Sequence, residues 1–132
     1  AYVPPEKASM ERVTAALPDS YRAIIGSVGA AGYVPFEVVP AHLSKAVGIR
    51  AICEHGGIPL SHTVALGDSS NDVEAGATAA VGISIGDDCE ALVDVADIVA
   101  PSVSEDGLAW ALCAAGLTSD DPSGGQGLGD AR

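Results

Sequence analysis

The sequence predicts an α/β fold: a Rossmann-like parallel sheet with flanking helices, preceded by a smaller segment of one helix and two strands. Three observations predict it. From about residue 41 onward, short apolar runs alternate with helix-patterned stretches across short links, the rhythm of a parallel sheet covered by helices. Those runs are continuously apolar rather than alternating, as strands covered on both faces are. Nearly half of the 132 residues (48%) are apolar, enough for one modest core. Only 4% are aromatic, so that core is built from Ala, Val, Ile and Leu.

"AYV" reads as the end of a strand. "PPEKASMERVTAALP" reads as a helix, with Pro5 in its first turn, Met10, Val13 and Leu17 on one face, and Pro18 as the stop. "YRAIIGSVG" and "YVPFEVVP" are extended runs joined across Gly29 to Gly32 as a hairpin, and Pro35 places the second at an edge or a bulge. Ser44 is a good N-cap for "KAVGIRAICEHGG", with Ile49, Ile52, Cys53 and Gly56 on one face and Gly56-Gly57 ending it. "TVALGD" is a short buried strand, "NDVEAGATAA" a short helix, "AVGISIG" a strand and "DDCEALVDVA" a helix with acids in its first turn, where the dipole favours them. "DIVAP" is a strand, and "SEDGLAWALCAAG" a helix capped by Ser104 with Leu108, Leu112 and Ala115 turned inward. Residues 1–40, 41–116 and 117–132 are thus expected to form a leading helix-and-strand segment, the parallel unit, and a disordered tail rich in Gly, Ser and Asp.

The net charge of −12 disfavours nucleic acid and anionic membrane surfaces as partners. No apolar run approaches the ~18 residues a membrane span needs. Three widely spaced cysteines without a CxxC pair argue against a disulfide framework, so a reducing, cytoplasmic setting is expected. His42, His55 and His62 lack the spacing of a shared ligand set, His55 suits a helix C-terminus, and Cys53, Cys113 and Trp110 read as packing. Glu37 reads as a strand acid, and "GISIGD" as a turn without the GxGxxG spacing of a nucleotide fingerprint.

Chemistry concentrates in "VALGDSSNDVEAG". Asp68 follows an apolar strand at the end where open parallel sheets bind ligands. Carboxylate and hydroxyl oxygens beside a helix start suit Mg²⁺, which keeps waters and takes one or two carboxylates plus substrate phosphate. Asp68 and Asp72 read as a plain strand cap and helix acid about as well. Lys45 tips the balance: in the first turn of its helix a cation opposes the dipole, and between Ala23 and Ala131 the only other Lys or Arg is Arg50. An ammonium aimed at a phosphate beside Asp68 makes sense of that placement.

The stretch from about Glu37 to Leu112 resembles the C-terminal half of haloacid dehalogenase-like phosphatases, in the Cof-type and sucrose-phosphatase-like branch. The resemblance rests on a lysine opening a helix, the twenty-three positions from it to Asp68, the "GDSSND" loop and the later "VADIVAPSVSEDG" segment. It implies the fold of half of that family's core, with residues 1–40 as the end of a mobile cap. By position it implies that Lys45 binds the phosphate, Asp68 ligates Mg²⁺ with help from Ser69, and Asn71 contacts the phosphate. Asp72 would orient Lys45 or a metal-bound water. The implied activity is Mg²⁺-dependent hydrolysis of a phosphomonoester, such as a sugar phosphate or another small phosphorylated metabolite, through an aspartyl-phosphate. The "DxD" motif carrying the family's nucleophile has no counterpart here, so the chain is expected to be a fragment, inactive alone, that needs its missing N-terminal half or self-associates. The alternatives are a non-catalytic, degenerate phosphatase-like binding module, a phosphomutase sharing the same chemistry and, more remotely, the phosphorylation domain of a cation pump.

Overall fold

The computed structural model describes residues 2–3, 7–25 and 34–119, and these form two three-stranded sheets. The first is antiparallel. It contains β1 (Tyr2–Val3), β2 (Tyr21–Ile25) and β3 (Val34–Pro40) in the order β1-β3-β2, with helix α1 (Lys7–Ala16) between β1 and β2. The β2–β3 ladder runs from Tyr21 opposite Pro40 to Ile25 opposite Phe36, as a hairpin requires. The turn that joins them lies outside the described residues, as do residues 120–132 of the expected tail.

Pro35 is not on an edge strand, because β3 is the middle strand of its sheet. Among the described residues Val34 and Pro35 are registered with β1, and Phe36 to Pro40 with β2.

Helix α2 (Lys45–Gly56) starts where expected. Ser44 is extended and its side chain accepts a hydrogen bond from the Val47 N–H at 3.3 Å. The helix ends at Gly57, whose φ of 64° is the left-handed conformation that favours glycine. Its inward face differs from expectation. Ala46 and Cys53 are buried and Ile49 half-buried, whereas Ile52 is 68% exposed. At 100° per residue Ile52 stands about a third of a turn away from the line through Ala46 and Cys53.

The second sheet is parallel, β4 (Val64–Gly67), β5 (Val81–Ile85) and β6 (Ile98–Ala100) in that order. Each crossover carries a short helix, α3 (Val73–Gly76) and then α4 (Glu90–Val93). This is the α/β architecture expected from the alternating apolar runs. Its core holds Ile83, Ala100 and Ala111, with Val64, Leu66, Val81, Ile85, Ile98 and Trp110 packed around them. Among the described residues β4 pairs only with β5, so it forms one edge of this sheet.

The last helix, α5 (Gly107–Ala114), begins later than the sequence suggests. Ser104 is not its cap. Ser102 donates its hydroxyl to Glu105 at 2.7 Å around a tight 3₁₀ turn (Val103–Glu105), and the left-handed Asp106 then leads into the helix. That shift turns Gly107 and Ala111 into the core, Ala111 completely, and leaves Leu108 54% exposed.

Candidate active site

The site is built at the C-terminal end of β4. Gly67 ends the strand, a 3₁₀ turn (Ser70–Asp72) follows, and α3 continues from it. The turn folds the Asp72 side chain back over the strand end. A Cβ on Gly67 would lie 2.2 Å from the Cβ of Asp72, so the absence of a side chain there makes room for the aspartate. Gly67 is therefore needed for close approach; it is not among the residues with positive φ.

Asp72 is the buried centre, with its side chain 8% exposed. One carboxylate oxygen pairs with the Lys45 ammonium. The other accepts from the Asp68 N–H at 3.2 Å, the Ser69 N–H at 3.3 Å and the Ser69 hydroxyl at 3.2 Å. Burial alone would push this carboxyl up. The Lys45 hydrogen bond and charge, then the Asp68 amide and the Ser69 hydroxyl, more than offset it and hold Asp72 below the usual carboxylate range. One side chain thus fastens the first turn of α2 to the loop after β4.

The structure brings Lys45, Asp68, Ser69, Asn71 and Asp72 together through this carboxylate. The Ser69 hydroxyl also lies 2.7 Å from Asn71 Oδ1, so its single proton is shared between that oxygen and Asp72. That contact engages the carbonyl end of the Asn71 side chain and leaves its NH₂ end for another acceptor. Asp68 is exposed, and its carboxylate has no hydrogen-bond or ion-pair partner among the described residues.

Among the described residues no group of three His, Cys, Asp or Glu side chains could hold a metal ion. Mg²⁺ does not require such a cage: it keeps several waters and is commonly bound by one or two carboxylates plus phosphate oxygens. The free carboxylate of Asp68 fits that mode. Asp72 does not, because its oxygens are committed to Lys45 and the loop.

Sequence reasoning missed two charged residues beside this loop. Arg22, on β2, reaches Glu74 of α3 with Nη1 at 3.1 Å and the Leu43 carbonyl with Nη2 at 2.8 Å. Glu74 is held below the usual carboxylate range, first by a hydrogen bond from Ser44 and then by Arg22. The available signal was faint: Arg22 is a cation in a cation-poor chain, one residue before the stretch in which Lys45 attracts notice.

A family model described as haloacid dehalogenase-like hydrolase matches residues 3–112. The chain belongs to the haloacid dehalogenase-like hydrolases. Among its curated relatives is the 5-amino-6-(5-phospho-D-ribitylamino)uracil phosphatase YitU of Bacillus subtilis, 31% identical over 61% of this chain and 30% of that protein. Another is a phosphoglycolate phosphatase of Archaeoglobus fulgidus, 32% identical over 62% of this chain and 37% of the relative. Among solved structures, the subclass IIB sugar phosphatase BT4131 superposes with a TM-score of 0.60 at 30% identity, over 73% of this chain and 36% of that one. The chain thus spans about a third of the length of these relatives. The resemblance to Cof-type phosphatases read from the lysine and the GDSSND loop is the one these comparisons show. No helix among the described residues is long and apolar enough to cross a membrane.

Proposed function

We propose that the protein carrying this chain is a Mg²⁺-dependent phosphomonoesterase acting on a small phosphorylated metabolite. The observation that carries the reading is the division of labour between two aspartates four positions apart: Asp72 is spent on Lys45 and the loop amides, while Asp68 stands free on the same loop. An acid that anchors and an acid that is available are what a metal-assisted phosphoryl site needs side by side.

In this proposal Asp68 holds Mg²⁺ with Ser69 nearby, and the metal when bound supplies charge stabilisation at the phosphoryl oxygens. Lys45, kept in place by Asp72, offsets phosphate charge. Asn71 donates its side-chain N–H groups to a phosphate oxygen, oriented by the Ser69 hydroxyl. The attacking carboxylate, which would form an aspartyl-phosphate, is assigned to a segment outside this chain, because no acid here stands in a DxD context. The sugar-phosphatase and phosphoglycolate-phosphatase names of relatives support a small phosphoester, with a sugar phosphate as the leading class.

The test is phosphate release from a panel of phosphomonoesters by the full-length protein, with and without Mg²⁺, alongside Lys45→Ala and Asp68→Ala versions. Turnover that needs Mg²⁺ and is lost in both variants supports the reading. Turnover that survives EDTA, or that either variant retains in full, overturns it.

A further inference from the structure

We propose that Arg22 and Glu74 select the leaving group, favouring an uncharged, hydroxyl-bearing alcohol over one that carries a carboxylate. The inference rests on the phosphomonoesterase reading above and adds residues that the catalytic motifs do not contain.

A cleft of about 190 Å³ opens between β2 and the catalytic loop, lined by Arg22, Ala23, Ile24, Ser70, Asn71 and Glu74. Asn71 is the proposed phosphate contact, so the alcohol part of an ester held there extends into this space. The cleft is smaller than the roughly 300–1,000 Å³ of sites for drug-sized ligands, so it suits a leaving group of a few carbons.

Its charges decide the class. The lining has one cation and one anion, and they pair with each other, Arg22 Nη1 to Glu74 Oε1 at 3.1 Å. An entering carboxylate gains Arg22 but meets the Glu74 carboxylate at the same place. An entering hydroxyl loses nothing to that repulsion: it donates to Glu74 and accepts from Arg22. Glu74 stays ionised at neutral pH because Ser44 and Arg22 both favour its charged form.

Arg22 is also poised to respond. Its Nε–H is shut off from solvent and has no hydrogen-bond partner, a costly state for a buried donor. Its ion pair with Glu74 is solvent-exposed on both sides and therefore weak. A guanidinium held this way gains by turning toward an acceptor placed in the cleft.

The experiment is calorimetric binding to the full-length protein with Mg²⁺, using inorganic phosphate and the non-hydrolysable phosphonate analogues of glycerol 1-phosphate and phosphoglycolate (CH₂ in place of the ester oxygen) as probes. Each analogue is read relative to inorganic phosphate in the same variant. Wild type is expected to bind the glycerol 1-phosphate analogue several-fold tighter than the phosphoglycolate analogue. Glu74→Gln, nearly isosteric, should raise the relative affinity for the phosphoglycolate analogue by about fivefold, and Arg22→Ala should lower that for the glycerol 1-phosphate analogue by about fivefold. Ratios unmoved by both substitutions, in a protein that binds inorganic phosphate through Lys45, overturn the selection by Arg22 and Glu74 alone. Failure of inorganic phosphate to bind, or binding undiminished in Lys45→Ala, removes the phosphomonoesterase reading and this inference with it.

Discussion

Lys45 and Asp72, twenty-seven positions apart, form an ion pair in which the carboxylate is almost buried and the lysine half exposed. The asymmetry assigns their roles. The lysine keeps a face toward solvent, where a ligand can reach it. The aspartate is enclosed and holds it there, while its second oxygen gathers the amides of Asp68 and Ser69. Position 45 lies in the first turn of α2, where a cation opposes the helix dipole, and Asp72 supplies the compensating charge.

Removing the anchor should therefore weaken the fold as well as the site. Asp72→Ala leaves Lys45 without its counter-charge and two loop amides without their shared acceptor. The expected loss is about 2–4 kcal/mol. Asp72→Asn keeps an acceptor oxygen but not the charge, so it should fall between wild type and alanine. Urea denaturation of the three proteins gives the order directly; an alanine variant as stable as wild type would show that the pair is ornamental.

The same carboxylate makes a prediction about acid. Its pKa in the folded chain lies below the ordinary aspartate value of 3.8. Between the folded and unfolded values, the unfolded chain binds the proton and the native chain does not. The contribution of Asp72 is thus complete above the unfolded value and is lost as pH falls through the folded one. The stability gap between wild type and Asp72→Asn should be widest near neutrality and close as pH falls below the ordinary carboxylate range. Melting temperatures measured across that range check it, and a gap that widens on acidification contradicts it.

Lys45 and Asp68 should separate when activity and stability are measured together. In the proposed reaction each alanine substitution is expected to lower kcat/KM of the full-length protein by at least about a hundredfold, since each would remove charge stabilisation at the reacting phosphate. Only Lys45→Ala should also lower the melting temperature, because it strands the buried Asp72 carboxylate. Asp68 has no partner to strand among the described residues. Equal thermal damage from both would mean that Asp68 carries a structural role the geometry does not show.

The architecture of the parallel unit was legible because its strands are short apolar runs and its helices begin and end on strong local signals, Ser44 and Gly57 among them. The residues of the candidate site could be grouped from the sequence because they lie in one loop plus one lysine, and the structure brings them together. The missed features involve geometry that spacing does not encode. The exposure of Ile52 depends on which side of α2 meets the rest of the chain. The exposure of Leu108 follows from a left-handed residue at Asp106 that delays α5 and rotates its inner face. Glu74 meets Arg22 across fifty-two positions, and no local pattern joins them. Pro35 misled for a related reason: whether a strand lies at an edge depends on which strands reach it from elsewhere in the chain, and here β1 and β2 flank β3.

Two glycines give opposite expectations. An added Cβ at Gly67 would sit 2.2 Å from Asp72 Cβ and 2.4 Å from its Cγ, which no rotamer change relieves without moving the aspartate. Gly67→Ala should destabilise the protein by several kcal/mol, about the size of a severe core overpacking, and abolish activity with it. Gly48 lies inside α2 with nothing within 4 Å of the same added atom. Gly48→Ala should stabilise by about 0.5–1 kcal/mol through helix propensity. Denaturation midpoints for the pair check both signs.

The edge of the parallel sheet supplies the last expectation. Among the described residues β4 pairs on one side only, with β5, although its residues are half-buried and apolar up to Gly67. An unpaired strand edge of this kind recruits another strand. The 132-residue chain alone is therefore expected to self-associate rather than persist as a monomer. Its charge of −12 opposes that association. At low ionic strength, repulsion between chains reaches across tens of ångströms, while at about 0.15 M salt it is screened within about 8 Å. Association should consequently rise with added salt, the reverse of an assembly held by ion pairs. Light scattering coupled to size-exclusion chromatography at two salt concentrations measures this. A monodisperse monomer that melts cooperatively at both would mean that the β4 edge is already satisfied within the chain.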